Sequence, residues 1–425
     1  MTGSSVESIE AQAVTGFQSA NDLDSIPDGG FQAWVQVVGV FFLFLNTWGI
    51  VNSYGIFQNY YQTEHLAQHS PSAISWIGSI QTFLVLVIGV LTGPLYDTGY
   101  FRTLLVVGSF LTVFGMMMLS LSTLYWQVLL SQALCVGLGM GCLFVPSVAI
   151  LSTYFNKNLG IAMGLGTSGG SLGGIIYPII VTRLIPKVGF PWAVRVIGFI
   201  ALGTLILSNV FMKSRVLPSA TRSWSSLVEL GAFKERPYAL FVFGGFISYM
   251  GYYAPFYYLT PYAMAYEITT MDLATWLVSI FNAADFVGRI LPNWVADYTG
   301  PLNVMIPFVI CSGAIELGLV GSFDQSSLIA LCVLFGFFTG PFISLPSTVL
   351  VTLTPDREKV GTRIGMALTC IAISMLVGTP IAGEILNRSG FANVWVFGGV
   401  TMIGGGLIMI ASRLSITGLK LKAWA

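Results

Sequence analysis

Residues 125–152 read YWQVLLSQALCVGLGMGCLFVPSVAILS and contain no charged side chain. A membrane-spanning helix needs about 20 mostly apolar residues, so this stretch is long enough to cross a bilayer. The whole chain has the same character: of its 425 residues, 55% are hydrophobic and 8% are charged. An average soluble protein carries about a quarter charged residues. The apolar excess must therefore face lipid, and the sequence predicts an integral membrane protein with several spanning helices.

Twelve such apolar runs predict twelve transmembrane helices, which centre on 34–57, 73–96, 103–121, 125–152, 160–183, 191–212, 238–263, 273–295, 303–322, 327–352, 360–385 and 391–412. The longest polar interruption, from Lys213 to Pro237, lies halfway along the chain. We therefore predict five regions: a disordered cytosolic tail at 1–30, a six-helix half at 31–212, a cytosolic linker at 213–237, a second six-helix half at 238–412 and a cytosolic tail at 413–425.

The distribution of basic residues predicts the orientation in the membrane, because Lys and Arg are enriched in cytoplasmic loops. With both termini in the cytosol, thirteen of the eighteen basic residues lie inside, four lie outside and Arg289 lies within a helix. We expect this orientation, in the plasma membrane or in an internal membrane such as the vacuolar one.

The two predicted halves repeat each other at an offset of 200 to 202 residues. The matched positions are Asp97 and Asp297, Pro146 and Pro346, Gly160 and Gly361, and Pro178 and Pro380. Two parallel halves of six helices are the arrangement of major facilitator transporters. The repeat therefore predicts an all-α membrane protein of the major facilitator fold, with a substrate site between the halves near mid-membrane.

Other classes of site are not favoured by the sequence. The five cysteines lie in apolar runs without the spacing of a zinc site or a disulfide framework, and His65 and His69 have no suitable set of further ligands. No GxxxxGK[ST] phosphate loop and no basic stripe occur. We therefore predict no cofactor, no bound metal and no nucleic-acid partner.

The predicted fifth helix contains two patterns known from soluble enzymes. A G-x-G-x-x-G pattern at 164–169 has no preceding strand to support a dinucleotide site. A G-x-S-x-G pattern at 169–173 has no histidine near Ser171 that could act as a base. We interpret the glycines from 160 to 174 as small-residue faces that allow helix backbones to approach closely.

Residues 93–102, GPLYDTGYFR, indicate a conformational gate. The glycine four residues before Asp97 allows tight helix contact, and the carboxylate can accept hydrogen bonds from the N-terminus of a neighbouring helix on the inner side. The stretch resembles the loop motif between the second and third helices of the major facilitator superfamily, although Thr98 stands where that motif has a basic residue. We predict gating roles for four residues: Gly93, Asp97, Arg102 and Asp297.

The start of the first predicted helix, DGGFQAW at 28–34, resembles the signature of the monocarboxylate porter family. Its continuation through Asn46, Trp48, Gly49 and 54–57 is similar to the fungal branch of that family. A second family signature is represented at 154–164 by YFNKN and AMG, with Asn158 and Leu159 where arginines are usual. The resemblance covers residues 28–412.

Asp285 and Arg289 carry the most chemistry in the sequence. They are four residues apart on the predicted eighth helix, so they share one face and can form an ion pair at membrane depth. Arg289 could bind a carboxylate through two hydrogen bonds, and Asp285 could take up a proton when substrate competes for the arginine. The resemblance implies the same roles, because the porters carry a matching Asp and Arg in this helix. A purely structural ion pair is the alternative.

Asn52 stands where the animal porters place a substrate-binding lysine, and a neutral amide cannot attract an anion by charge. The cavity is therefore expected to prefer larger, less acidic metabolites. The predicted hydrogen-bonding lining consists of Asn46, Asn52, Asn282, Tyr252, Tyr253 and Tyr257. Glu316, in the ninth predicted helix without a basic neighbour in sequence, is a further candidate for proton coupling.

These observations predict a monomeric secondary transporter, not an enzyme, that works by alternating access in the bilayer. We expect a proton gradient to drive it and the substrate to be a small organic acid or weakly acidic metabolite. Efflux of a secondary metabolite is the leading hypothesis. Uptake of a simple monocarboxylate by symport is the alternative, and a nutrient sensor on the same fold that does not transport is another.

Overall fold

The computed structural model describes residues 26–215, 228–356 and 359–418 of the chain, and helices are the regular elements of these residues. Most of the predicted tail at 1–30, together with its predicted disorder, lies outside the described residues. So do part of the linker and the end of the C-terminal tail.

Twelve long helical segments are numbered in chain order: α1, Phe31–His65; α2, Ala73–Asp97; α3, Phe101–Leu119; α4, Tyr125–Leu151; α5, 159–188; α6, 190–211; α7, Arg236–Ala265; α8, Met271–Thr299; α9, Pro301–Gly321; α10, Gln325–Thr352; α11, Val360–Ser389; and α12, Phe391–Thr417. Ten helices of the described chain are long and apolar enough to span a membrane. One of them is the continuous helix Leu159–Phe211, which a break divides into α5 and α6. The helix outside that set is α8, whose polar stripe lowers its hydropathy. The fold is therefore consistent with the twelve predicted spans.

Three predicted boundaries are wrong in detail. The first helix continues beyond residue 57 to His65, with local breaks at Thr47 and Ser53 and a final π-helical turn. The last helix continues beyond residue 412 to Thr417, so the tail begins later than predicted. The predicted loop between the fifth and sixth runs is replaced by a single break at Gly189.

Glycines with positive φ make the tight connections between four helix pairs. Gly99 follows α2, Gly189 separates α5 from α6, Gly300 follows α8 and Gly390 follows α11, with φ between 78° and 97°. Residues with a Cβ rarely adopt this conformation. Gly99 and Gly300, like Gly189 and Gly390, are 201 positions apart, so the internal repeat of the sequence extends to the turns.

Two glycine-lined helix contacts join the N-terminal helices to the C-terminal helices. Between α2 and α11, a Cβ on Gly93 would overlap the carbonyl oxygen of Gly361. Between α5 and α8, a Cβ on Gly164 would overlap the carbonyl oxygen of Arg289. Close backbone approach of this kind is what small residues permit in membrane helices. These two contacts position the residues described next.

Candidate functional site

A stripe of small residues on α5 faces the polar stripe of α8. Contacts along the two helices join Gly160 to Asp297, Gly164 to Asn293, Thr167 to Arg289, Ser171 to Asp285 and Gly174 to Asn282. The spacing on α5 alternates between three and four residues, which keeps every member on one face. The glycines predicted to serve packing therefore also cover the charged residues of α8.

Asp285 and Arg289 form a buried ion pair on α8. Arg289 Nε donates to Asp285 Oδ2 at 2.8 Å, and the side chains are 2% and 1% exposed for Arg289 and Asp285. Two hydrogen bonds tie the pair to α5: Ser171 Oγ donates to Asp285 Oδ2 at 2.6 Å, and Arg289 Nη1 donates to the Thr167 carbonyl oxygen at 2.8 Å. Opposite charges at membrane depth are tolerated when they are paired in this way.

The pair keeps unused hydrogen-bonding capacity. Asp285 Oδ1 is buried without a partner, and within the described chain Arg289 Nη2 has none either. The indole Nε1 of Trp48 is also buried and unpartnered, and Trp48 packs on Gly170 beside the Arg289 guanidinium. Asp285 Oδ1 can therefore accept a proton, and the N–H groups of Arg289 and Trp48 can donate to an anionic group.

Asn52 and Asn282 meet one turn of α8 away from Asp285. Asn52 Nδ2 donates to Asn282 Oδ1 at 3.3 Å, which joins α1 to α8. Asn282 fits because α5 has a glycine opposite it: a Cβ on Gly174 would overlap the amide of Asn282. The structure thus brings two of the predicted lining residues together.

Tyr252 and Tyr253 are buried on α7, with ring centroids 4.8 Å apart. Tyr257 lies one turn farther along, with its ring 6.2 Å from that of Tyr253. The rings on this side form a continuous aromatic cluster that comprises Tyr249, Tyr252, Tyr253, Phe256, Phe281 and Phe342. The aromatic cluster therefore connects α7 to α8 and α10.

Three predicted site residues lie away from the Asp285–Arg289 pair. Asn46 bonds to Thr204 and Tyr177 within the N-terminal helices, so its amide is occupied there and does not line the site. Arg102 donates to the carbonyl oxygen of Asn209 at the end of α6. Glu316 is buried on α9 against Gly398 of α12, and neither carboxyl oxygen has a hydrogen-bond partner.

Asp97 and Asp297 cap helix N-termini in equivalent ways. Asp97 accepts from Gly361 N at 2.9 Å, Thr362 N at 2.8 Å and Thr362 Oγ1 at 2.7 Å, at the start of α11. Asp297 accepts from Gly160 N at 2.5 Å and Ile161 N at 2.9 Å, at the start of α5. Each carboxylate therefore joins an N-terminal helix to a C-terminal helix at the same end of the molecule.

Arg363, near the start of α11, holds the segment that precedes α7. Its guanidinium contacts Glu229 at 3.0 Å and Glu235 at 2.6 Å, and Lys359 contacts Glu229 at 3.2 Å. The hydrogen bond from Arg363 lowers the pKa of Glu229, and the hydrogen bond to Glu229 raises the pKa of Lys359. This cluster lies next to the Asp97 cap at Gly361 and Thr362.

Asp28 of the DGGFQAW stretch anchors the beginning of α1 to the α4–α5 connection. Its Oδ1 accepts from Asn156 N at 2.6 Å and Lys157 N at 2.7 Å. Trp34 of the same stretch packs edge-on against Phe155, with ring centroids 5.2 Å apart. The two stretches that carry the resemblance to the porter family thus contact each other.

The residues of these contacts that were not predicted as site residues include Ser171, Thr167, Trp48 and Arg363. Ser171 stands in the glycine stripe. A single polar side chain on an otherwise small, apolar helix face was the signal in the sequence that could have indicated a polar partner on a facing helix. The carbonyl of Thr167 gives no signal in a sequence. No group of three His, Cys, Asp or Glu side chains within the described residues could hold a metal ion.

Comparison with known proteins places these features in context. The protein-family model described as Major Facilitator Superfamily matches residues 37–275 and 241–417 of this chain. The chain is 47% identical to the "MFS-type transporter dbaD" of Emericella nidulans over 385 residues, which cover 90% of this chain and 86% of the relative. It is 33% identical to the "Aspyridones efflux protein apdF" of the same organism, with 96% and 83% covered.

The fold is similar to that of a solved transporter. The crystal structure of the E. coli fucose:proton symporter FucP (N162A) superposes with a TM-score of 0.68 over 89% of this chain and 97% of that chain. The two sequences are 16% identical, so the likeness concerns the fold.

Proposed function

Because this chain belongs to the major facilitator superfamily and is a multi-pass membrane transporter of small molecules, we propose that it is a proton-coupled carrier of a small organic acid, within or near the monocarboxylate porter family. The observation that carries the proposal is the buried Asp285–Arg289 pair. Its unpartnered Asp285 Oδ1 and free Arg289 Nη2 supply a proton acceptor and an anion donor in one place.

The proposed cycle uses competition for Arg289. A substrate carboxylate that accepts from Nη2 draws the guanidinium away from Asp285 and weakens the bond at Nε. A carboxylate that loses its cationic partner in a buried site binds a proton more readily, and Oδ1 is the unoccupied oxygen. Release of substrate lets Arg289 return to Asp285 and expel the proton. Asn52, Asn282, Tyr252, Tyr253 and Tyr257 would contact the rest of the ligand.

The halves at 31–212 and 238–412 would move relative to each other as alternating-access units, in a monomer embedded in lipid. With the termini in the cytosol, the Asp97 and Asp297 caps lie on the inner side, and both are engaged. This conformation would therefore be closed to the cytosol. Gly93 allows the α2–α11 contact to close, and Arg102 would act by fixing the end of α6. Proton coupling by Glu316 stays a separate prediction, since its carboxyl contacts α12 instead of the pair.

Two observations favour efflux of a secondary metabolite across the plasma membrane. Because the cycle above binds the proton and the metabolite together, the outward gradient of the metabolite would drive this export. Asn52 and the aromatic cluster suit a weakly acidic, planar compound better than a small hydrophilic anion. A relative that is 33% identical is named an efflux protein. Uptake of a simple monocarboxylate is the alternative direction.

The test compares metabolites inside cells and in the medium for strains with the gene intact, deleted, or restored as Asp285→Asn. We expect one acidic compound to build up inside the deleted and Asp285→Asn strains and to fall outside. Glu384→Gln is the matched control, because Glu384 and Arg388 form an i,i+4 pair like the central one but are exposed. Loss of uptake of an external acid would instead establish the import direction.

Arg289→Lys and Arg388→Lys make a second matched pair in the same strains. Lysine keeps the charge but lacks the planar guanidinium that reaches Asp285 and the Thr167 carbonyl from two different nitrogens. Export should therefore fall at least about tenfold for Arg289→Lys and stay unchanged for Arg388→Lys. Export at the wild-type rate by both Asp285→Asn and Arg289→Lys would overturn the proposed function. Purified protein that binds the compound in liposomes without moving it would point to a sensor.

A further inference from the structure

We propose that Ser171 is a positioning residue that sets the proton affinity of Asp285 and ties that affinity to the contact between α5 and α8. The inference rests on the proposed function, and it concerns a residue that the sequence analysis considered only as a rejected nucleophile. Ser171 is completely buried, and its hydroxyl donates to Asp285 Oδ2 at 2.6 Å. The bond crosses between two helices that belong to different halves.

Oδ2 is the oxygen on which the structure concentrates its donors. It accepts from both Ser171 Oγ and Arg289 Nε, while Oδ1 accepts from none. A donor favours the ionised carboxylate over the neutral acid. Ser171 therefore holds Asp285 in its charged state with one oxygen occupied, which leaves Oδ1 as the atom that receives the proton.

Within the described residues, Ser171 and Arg289 are the two side chains that donate to Asp285. On α5 the neighbouring positions are glycines and the Thr167 carbonyl, which accepts from Arg289 instead. On α7 the nearby titratable groups are Tyr252 and Tyr253. On α10, the helix packed against α8 from the other side, Gly336 and Gly340 face it. Among these residues, Arg289 is the one that carries a charge opposite to that of Asp285.

The same bond makes the helix contact depend on the charge of Asp285. Protonation weakens the Ser171 and Arg289 bonds at Oδ2, and the arginine then holds α5 only through the Thr167 carbonyl. Separation of α5 from α8 is consequently easier when Asp285 is neutral. In this way Ser171 converts the arrival of a proton into a weaker contact between the halves.

The experiment measures protonation of Asp285 without any substrate. Purified full-length protein is titrated from about pH 4 to about pH 9 by infrared difference spectroscopy, and the Asp285 carboxyl band is assigned by its absence in Asp285→Asn. Ser171→Ala should move the midpoint of this band upward by about one pH unit, a tenfold rise in proton affinity. Ser171→Cys, a weaker donor of similar size, should give an intermediate shift.

Ser168→Ala is the matched control. Ser168 is buried on the same helix, but its hydroxyl donates to the Leu165 carbonyl within α5. Its removal should leave the Asp285 midpoint unchanged. Equal midpoints in Ser171→Ala and wild type, or equal shifts in the Ser171 and Ser168 variants, would overturn the inference, as would an Asp285 that never titrates.

These outcomes are distinguishable from failure of the proposed function. If Asp285→Asn abolishes export while the Ser171→Ala midpoint does not move, the transporter mechanism stands and the role of Ser171 is wrong. If the midpoint moves but Asp285→Asn exports normally, Ser171 positions Asp285 and the coupling role of that residue is wrong.

Discussion

Asp97→Asn should open the molecule at the end where the two aspartate caps lie. Asp97 accepts three hydrogen bonds from the first residues of α11, and its charge lies at the positive end of that helix. Asparagine keeps one acceptor oxygen but turns an N–H group toward the remaining donors. It therefore removes the charge and at least one bond without changing the size of the side chain.

The magnitude follows from these contacts. A hydrogen bond to a charged group contributes about 1.5 to 3 kcal/mol, and the interaction with the helix N-terminus adds about 0.3 to 1 kcal/mol. If one of the three bonds is lost, we expect a net loss of about 2 to 4 kcal/mol from the conformation described here. The ratio of open to closed molecules should then rise by about 30- to 900-fold.

Pulsed electron resonance distances can measure this ratio. Spin labels on Tyr100→Cys, beside α2, and Thr352→Cys, at the end of α10, would report the separation at that end, because both positions are exposed. The five native cysteines are replaced first. The long-distance population should grow in Asp97→Asn, and grow less in Asp297→Asn, which loses part of a cap with two bonds.

Asp324→Asn is the control, since Asp324 also caps a helix N-terminus but at α10 within the C-terminal helices. Its distance distribution should match that of the unsubstituted background. If Asp97→Asn changes the ratio by less than about threefold, the cap does not stabilise the closed conformation and the reasoning is refuted.

Two further predictions concern packing and pH. Gly164→Ala should lower the melting temperature and reduce export, because its Cβ would overlap the Arg289 carbonyl oxygen. Gly203→Ala should change neither, because the space around Gly203 is open. Equal effects of the two substitutions would contradict the α5–α8 packing. Because the pKa of Glu229 is lowered, its pairing with Arg363 stabilises the fold above the ordinary pKa of a glutamate and is lost as pH falls through the lowered value. This contribution to stability is below about 1 kcal/mol and should disappear in Glu229→Gln. Thermal unfolding of both proteins between about pH 3 and about pH 7 would measure it. An identical pH dependence of the melting temperature in the variant would contradict the prediction.

Much of the fold could be predicted from the sequence because membrane helices have a simple requirement for length and apolarity. The membrane-spanning helices and the superfamily are confirmed. The helix ends were less accessible, since polar residues such as Gln58 and Glu64 continue α1 beyond its apolar part. The turn at Gly189 was also missed, because one positive φ can replace a whole loop.

The site was only partly predictable, because its contacts join residues far apart in the chain. The pairing of Asp285 with Arg289 follows from helical spacing. The contact between Ser171 and Asp285 crosses 114 positions and has no signature in a single sequence. The G-x-S-x-G pattern was rejected as a nucleophile because no base lies nearby, and the sequence then offered no role for Ser171. Glu316 was grouped with the coupling residues by its charge, although its helix turns it toward α12.

The glycine stripe of α5 places the proposed binding pair, Asp285 and Arg289, in the contact between α5 and α8. Arg289 and Asp285 are buried because Gly164, Gly170 and Ser171 bring the α5 backbone against them. A larger face would keep the helices apart and admit water, which would weaken the pair by screening. The charges are therefore strongest when the halves are in contact here, and any ligand or proton that weakens the pair also weakens that contact. In the proposed mechanism, coupling consequently needs no separate relay between the ion pair and the helix interface, because α5 and α8 supply both.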